Sequence, residues 1–157
     1  MKTRTGPSQL AEIGFYHLTR TGADQALPAL LGRTLAAGKR AVVRCGSPER
    51  LGELDQALWV CPQPDWLPHG HAGTGHADLQ PIWLTIEDEA PNGASFLFLV
   101  DAVSSDRLAA FERVFDLFDG NDEAALAAAR ARWRAAKEAG HVLAYWQQGE
   151  RGWEKKA

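Results

Sequence analysis

Hydrophobic and polar positions along the chain alternate between a spacing typical of β-strands and a spacing typical of helices. Short apolar runs predict strands at residues 13–18, 40–45, 81–86, 95–100 and 142–148. Leucines at intervals of three and four residues predict a helix from near Asp24 to Gly38, with Pro28 in its first turn. They predict a second helix that is capped by Ser47 and ends near residues 59–61. Because strands and helices alternate, we predict an α/β fold, a single-domain three-layer sandwich around a mainly parallel sheet.

The remaining segments complete the predicted order. Residues 106–111 are predicted to begin a helix, and the apolar stretch 114–118 follows them. An Ala-rich helix is predicted from a cap at Asn121 or Asp122 to Gly140. Residues 62–81 are rich in Pro, Gly and His, which predicts a surface loop with at most one short strand. We expect the domain to span residues 11–148, between a flexible extension at 1–10 and a polar tail at 149–157.

Composition bears on the partners and the location of the protein. The 157 residues include 20 acidic and 17 basic side chains, for a net charge of −3. Direct binding to nucleic acid usually needs an excess of Lys and Arg, so we expect any contact with DNA to be indirect. No apolar run approaches the ~18 residues that cross a bilayer. The two cysteines are too few for a disulfide framework, and together these features predict a reduced, cytoplasmic protein without membrane contact.

Motifs for catalysis, cofactors and metals are weak in this sequence. Residues 19–22, Thr-Arg-Thr-Gly, follow the first predicted strand, and they do not match the Gly-x-Gly-x-x-Gly pattern that approaches a dinucleotide. A Gly-x-Ser-x-Gly nucleophile motif is also missing, so we expect neither catalysis nor a cofactor. Two alternatives stay open: an α/β enzyme of unknown reaction that binds a nucleotide or small molecule, and a zinc protein that uses the His69–His76 loop. Zinc would require His69, His71 and His76 with Cys61 or Asp78; a solvated loop without metal is the simpler interpretation.

One face of the long predicted helix combines an aromatic ring with cations. At 100° per residue, this face carries Leu126, Arg130, Trp133, Arg134 and Lys137, whereas the opposite side is mostly alanine. Such a face suits a ligand that has an apolar group beside carboxylates. The alternative is that the cations complement the C-terminus of the helix and that Trp133 shields a sheet edge.

The segment 59–69 presents Trp66 and Leu67 between two prolines. An aromatic side chain on a stiffened loop is a common anchor in protein interfaces, because little entropy is lost on binding. The alternative is that Trp66 folds back over the sheet.

A set of short motifs occurs in a consistent order from about Ile13 to Trp146. They are Phe15-Tyr16-His17-Leu18, Asp55-x-x-Leu58-Trp59, Trp66-Leu67-Pro68-His69, Pro81-Ile82, Phe115-Asp116, Arg130-x-Arg132-Trp133 and Ala139-Gly140. This set resembles the chi subunit of bacterial DNA polymerase III. The resemblance implies a Rossmann-like fold without a nucleotide site, and a non-catalytic protein.

The resemblance also implies two partners in DNA replication and repair. The acidic, Phe-ended tail of single-stranded-DNA-binding protein is expected to bind at Trp59, Phe118, Arg130, Trp133, Arg134 and Lys137, with Trp59 and Trp133 lining one slot. The psi subunit of the clamp loader is expected at Trp66, Leu67 and Pro68, where a DNA helicase is a further candidate. Two features depart from the family: Leu126 replaces a frequent lysine, and His71 and His76 are not accounted for.

Overall fold

The structure, a computed structural model, describes residues 10–62 and 66–157. These residues form an eight-stranded sheet with helices on both faces. The strands are β1 (Glu12–Leu18), β2 (Ala41–Arg44), β3 (Gly70–His71), β4 (Ile82–Thr85), β5 (Phe96–Val100), β6 (Arg113–Asp119), β7 (Val142–Gly149) and β8 (Gly152–Lys155). The helices are α1 (Ala23–Ala36), α2 (Pro48–Val60) and α3 (Glu123–Glu138). In this part of the chain, no helix has the length and apolar character needed to cross a membrane.

The strand order in the sheet is β3-β4-β2-β5-β6-β1-β7-β8. Strands β1 to β7 pair in parallel, and β8 pairs antiparallel with β7. Side chains alternate between the two faces of the sheet. Val43 belongs to the core cluster that includes Leu31 of α1 and Leu54 of α2, whereas Val42 belongs to the cluster that includes Ala129 of α3. The predicted three-layer α/β architecture is confirmed.

Local sequence signals set the ends of two helices. The Ser47 side chain accepts a hydrogen bond from the Arg50 N–H, with Pro48 at the first helical position of α2. The Asp122 side chain likewise accepts from the Ala124 N–H at the start of α3. Pro28 departs from the prediction: α1 begins at Ala23, so the proline lies inside the helix beyond its first turn and lacks the N–H that would continue the ladder there.

Two sequence-based expectations differ from the structure, and a third lies almost wholly outside the residues that it describes. Residues 106–111 do not begin an α-helix but contain a 3-10 turn at Leu108–Ala110. The carboxylate of Asp88 holds this segment as a loop by accepting hydrogen bonds from Ser105 Oγ and the Asp106 N–H. The expected polar tail at 149–157 instead contains β8, which turns back at Gly149–Gly152 to pair with β7. The expected extension at residues 1–10 lies outside the described residues except for Leu10.

Candidate protein-binding sites

A groove of about 220 Å³ lies between α3 and the sheet. Its lining consists of Phe15, Phe118, Leu126, Ala129, Arg130, Trp133 and Tyr145. The Trp133 ring meets Phe15 and Tyr145 edge-on, at centroid distances of 5.3 and 6.0 Å. Phe118 is 2% exposed and forms part of the floor. We call this cavity the α3 groove; it is an apolar slot with Arg130 on its rim.

The position of α3 over the sheet follows from its small residues and from one buried ion pair. Ala129 and Ala136 are buried against the sheet, where their small side chains allow close approach. Arg132 donates two hydrogen bonds to Asp116 of β6, Nε to Oδ2 at 2.6 Å and Nη2 to Oδ1 at 2.9 Å. Burial raises the pKa of the Asp116 carboxyl, and the Arg132 guanidinium opposes this rise. The pair joins the two motifs Phe115-Asp116 and Arg130-x-Arg132-Trp133 and fixes the rotation of α3.

That rotation places the remaining cations of α3 at increasing distance from the sheet. With Arg132 on one flank of the buried stripe, the helical spacing of about 100° per residue puts Trp133 on the other flank, and Arg130 and Lys137 beyond it. Arg134 lies about 40° further toward solvent than Arg130. The structure thus brings Phe118, Arg130 and Trp133 together, whereas Arg134 and Lys137 are exposed beside the groove rather than in its lining.

The cations around the α3 groove have no acidic partners within the described part of the chain. Arg130, Arg134 and Lys137 are exposed, and none of them forms an ion pair there. Burial raises the pKa of Tyr145, and the positive charge of Arg130 opposes this rise. The Tyr145 hydroxyl also hydrogen-bonds to His17 Nδ1 at 2.5 Å. The groove therefore combines an apolar slot with unpaired positive charge, which suits an acidic ligand that carries a ring.

Trp59 and Trp66 belong to a different surface, on the side of the sheet covered by α1 and α2. The buried residues Leu54 and Leu58 of α2 join the core cluster of α1, whereas Trp133 packs against the cluster on the other face. Trp59 therefore does not line a slot with Trp133, contrary to the sequence-based expectation. Its side chain is 60% exposed.

A buried histidine organises the surface around these two tryptophans. The His69 ring lies 4.8 Å from the Trp59 ring, its Nε2 is 2.9 Å from Asp55 Oδ1, and its Nδ1 is 2.7 Å from the Leu67 carbonyl oxygen. Leu67 is 2% exposed, so it anchors the loop in the core, whereas Trp66 is 71% exposed and points outward. Pro68, which follows Leu67, is half-buried. We call Trp59, Trp66 and Pro68 the α2 surface.

The loop between β1 and α1 occupies the place where a dinucleotide fold would bind phosphate. The chain leaves β1 toward β2 on one side and leaves β6 toward β7 on the other, so this loop lies at the switch point of the sheet. The consecutive N–H groups of Thr19, Arg20 and Thr21 all donate to Oε1 of Gln148, at 3.0, 2.9 and 3.1 Å. A nest of N–H groups that could hold an anion is thereby satisfied by a side chain of β7.

His69 and His71 of the segment 69–76 each have their own hydrogen-bonding partners in the structure. His69 is bonded as described above, and His71 Nδ1 accepts a hydrogen bond from the Gly73 N–H at 3.1 Å. Within residues 10–62 and 66–157, no three His, Cys, Asp or Glu side chains are grouped so that they could hold a metal ion.

The sequence did not assign two of the groove residues to the site. Phe15 and Tyr145 line the slot, and the alternation of β1 and β7 places them on the same face of the sheet as Val42 and Trp133. That alternation is visible in the sequence, but which helix covers the face is not. Gln148 carries no sequence signal for its role, because its three partners lie about 130 positions earlier in the chain.

The fold defines a three-layer α/β domain, and comparison with known proteins supplies its family. Residues 10–144 match the family described as "DNA polymerase III chi subunit, HolC". The chain is also 28% identical over 107 residues to DNA polymerase III subunit chi of Escherichia coli (strain K12). The aligned segment covers 68% of this chain and 72% of that protein. The chain belongs to the DNA polymerase III chi subunit family, and the identification made from the sequence motifs is confirmed.

Proposed function

We propose that this protein is a non-catalytic, cytoplasmic adaptor that links single-stranded-DNA-binding protein to the clamp loader of DNA polymerase III. Membership of the chi family supports an accessory role for the chain in DNA replication. The two separate surfaces support a role as a link between two partners, because an adaptor needs two sites that can be occupied together. The internally satisfied loop at the switch point favours an adaptor over a nucleotide-binding enzyme.

The α3 groove is the proposed site for the acidic tail of single-stranded-DNA-binding protein. The observation that carries this proposal is the apolar slot of Phe118 and Trp133 beside cations that have no acidic partner among the described residues. The terminal Phe ring of the tail enters the slot, and the terminal carboxylate accepts hydrogen bonds from Arg130. Arg134 and Lys137 meet the aspartates as exposed charges, which contribute about 1 kcal/mol or less each.

The α2 surface is the proposed site for the psi subunit, with a DNA helicase as a competing partner there. Trp66 offers the most exposed large aromatic anchor, and the buried Leu67 side chain attaches the loop to the core. We also propose that Trp59 serves this surface rather than the tail site, because its ring contacts His69 of the same loop. Leu67 then acts as a support for the anchor and not as a direct contact.

Calorimetry with an aspartate-rich peptide that ends in Pro-Phe tests the tail site. We expect an affinity in the micromolar range, about −8 kcal/mol, that weakens as salt shortens the screening length to about 3 Å at 1 M. Trp133→Ala and Arg130→Ala should each weaken binding by about tenfold or more. Trp66→Ala is the matched control, since it removes an exposed tryptophan from the other face of the sheet. Wild-type affinity together with wild-type stoichiometry in both groove variants, or wild-type affinity for a peptide without its Phe, would contradict the proposal.

A further inference from the structure

A second aromatic groove lies on the opposite face of the sheet from the α3 groove. It has a volume of about 280 Å³ and runs between the C-terminal half of α1 and strands β7 and β8. The strand pairing places Trp146 and Lys155 opposite each other, with Trp153 two residues before Lys155 on the same face. Trp146 and Trp153 lie beyond residue 144, where the match to the chi family ends. We call this cavity the α1 groove.

The floor of the α1 groove is a stack of aromatic rings. Tyr16 meets Trp153 edge-on at 5.0 Å between centroids and lies nearly parallel to Trp146 at 6.3 Å. On its other side Tyr16 stacks on Phe115 at 5.5 Å. Trp146 and Trp153 are half-buried, so both keep part of their surface for contact. The groove thus presents a preformed apolar slot with rings that are fixed by one another.

Positive charge is concentrated at one end of this slot. Arg113 lies over the Phe115 ring at 4.7 Å, and Arg33 of α1 lines the same groove. Burial raises the pKa of Tyr16, and the positive charges of Arg113 and Arg33 oppose the rise. Arg33 and Lys155 form no ion pair with any other described residue. Arg113 forms one ion pair within the described residues, from its Nε to Oε1 of the exposed Glu12 at 3.4 Å. The groove therefore offers more positive charge than the chain itself neutralises.

We infer that the α1 groove is a second docking site, for an acidic peptide segment of a partner protein that carries an aromatic side chain. The ring would enter the slot beside Tyr16 and Trp153, and one or two carboxylates would meet Arg33 and Arg113. A nucleic acid strand fits less well, because it is held by cations along its whole track and this chain has a net charge of −3. Residues 1–9 of the chain include Lys2 and Arg4 and no acid, so their charge does not complement the groove.

Calorimetry with the same aspartate-rich Pro-Phe peptide tests this inference independently of the α3 groove. We expect the wild type to bind two peptides per chain and Trp133→Ala to bind one. Addition of Arg33→Glu to Trp133→Ala should weaken the remaining site by about tenfold or more. Arg20→Glu is the matched control: it makes the same charge change on an exposed residue at the other end of the sheet and should leave the affinity unchanged. Trp153→Ala, with folding checked by circular dichroism, should act like Arg33→Glu.

The outcomes separate this inference from the proposed tail site. If Trp133→Ala binds no peptide, the α1 groove is not a peptide site and the inference is wrong, whereas the tail site stands. If the wild type binds one peptide that is lost in Arg33→Glu and retained in Trp133→Ala, the inference stands and the tail proposal fails. Binding of a thymidine oligonucleotide that Arg33→Glu abolishes, without peptide binding in Trp133→Ala, would overturn the inference in favour of a nucleic acid site.

Discussion

Loss of the buried pair between Asp116 and Arg132 should destabilise the protein and do so more strongly at high pH. Asp116 is 2% exposed, and both of its carboxylate oxygens are bonded to Arg132. Removal of one partner of such a pair costs about 3–5 kcal/mol. Because the Arg132 side chain is 16% exposed, water can partly replace it, which favours the lower end. For Arg132→Met we therefore expect a loss of about 3 kcal/mol, or roughly 6–12 °C in Tm at this chain length.

The direction of the pH effect follows from the pKa of Asp116. Burial already raises this pKa, and Arg132→Met removes the charge that opposes the rise. A carboxyl whose pKa is higher in the folded than in the unfolded state adds stability when protonated and loses that contribution as the pH rises through the folded value. The deficit of the variant relative to the wild type should therefore be smaller at pH 5 than at pH 8.

Urea denaturation followed by circular dichroism at the two pH values measures both effects. The double variant Asp116→Leu/Arg132→Met is the control, because a buried ion pair can be replaced by apolar residues at little cost. It should recover most of the stability and lose the added pH dependence. A single variant as stable as the wild type, or a deficit equal at both pH values, would refute this account of how α3 is held.

Three further predictions concern other parts of the molecule. Gln148→Ala should lower the free energy of unfolding by roughly 1–3 kcal/mol, because three N–H groups lose their acceptor; Gln148→Glu keeps an acceptor and should lose much less, and equal losses would contradict the account. Trp66→Ala should abolish co-purification with the psi subunit without change in Tm, whereas Leu67→Ala should cost about 2–5 kcal/mol in stability; unfolding of the Trp66 variant would instead place that ring in the core. Elemental analysis should find substoichiometric zinc and no effect of chelator on Tm; stoichiometric zinc that His71→Ala removes would show a metal site.

Five of the eight strands and the three α-helices of the described residues could be predicted, because their hydrophobic spacing is strong and the helix caps are local. Ser47 and Asp122 each bond to an N–H two or three residues away, so the sequence contains the whole signal. β8 was missed because four residues after a tight turn carry no periodicity of their own. Its position depends on pairing with β7, which the sequence alone does not specify.

The residue pattern alone predicts only the part of the candidate site that one helix carries, and the resemblance to the chi family adds Phe118 of β6. The face with Arg130 and Trp133 follows from helical geometry, but Phe15 and Tyr145 come from strands that only the folded sheet brings together. The resemblance to the chi family implies a place for Trp59 beside Trp133, and the sequence alone does not state which side of the sheet α2 covers. Long-range packing decides which side α2 covers, because Leu54 and Leu58 belong to the same buried cluster as residues of α1.

The indole N–H signals of the protein give the most direct test of the proposed tail site. The chain has six tryptophans, so a nitrogen-15 labelled sample should show six such signals, which single Trp variants assign. On titration with the aspartate-rich Pro-Phe peptide, we predict that the Trp133 signal moves and that those of Trp59 and Trp66 stay in place. A Trp133 signal that does not move while the peptide binds would contradict the central claim that the α3 groove receives the tail.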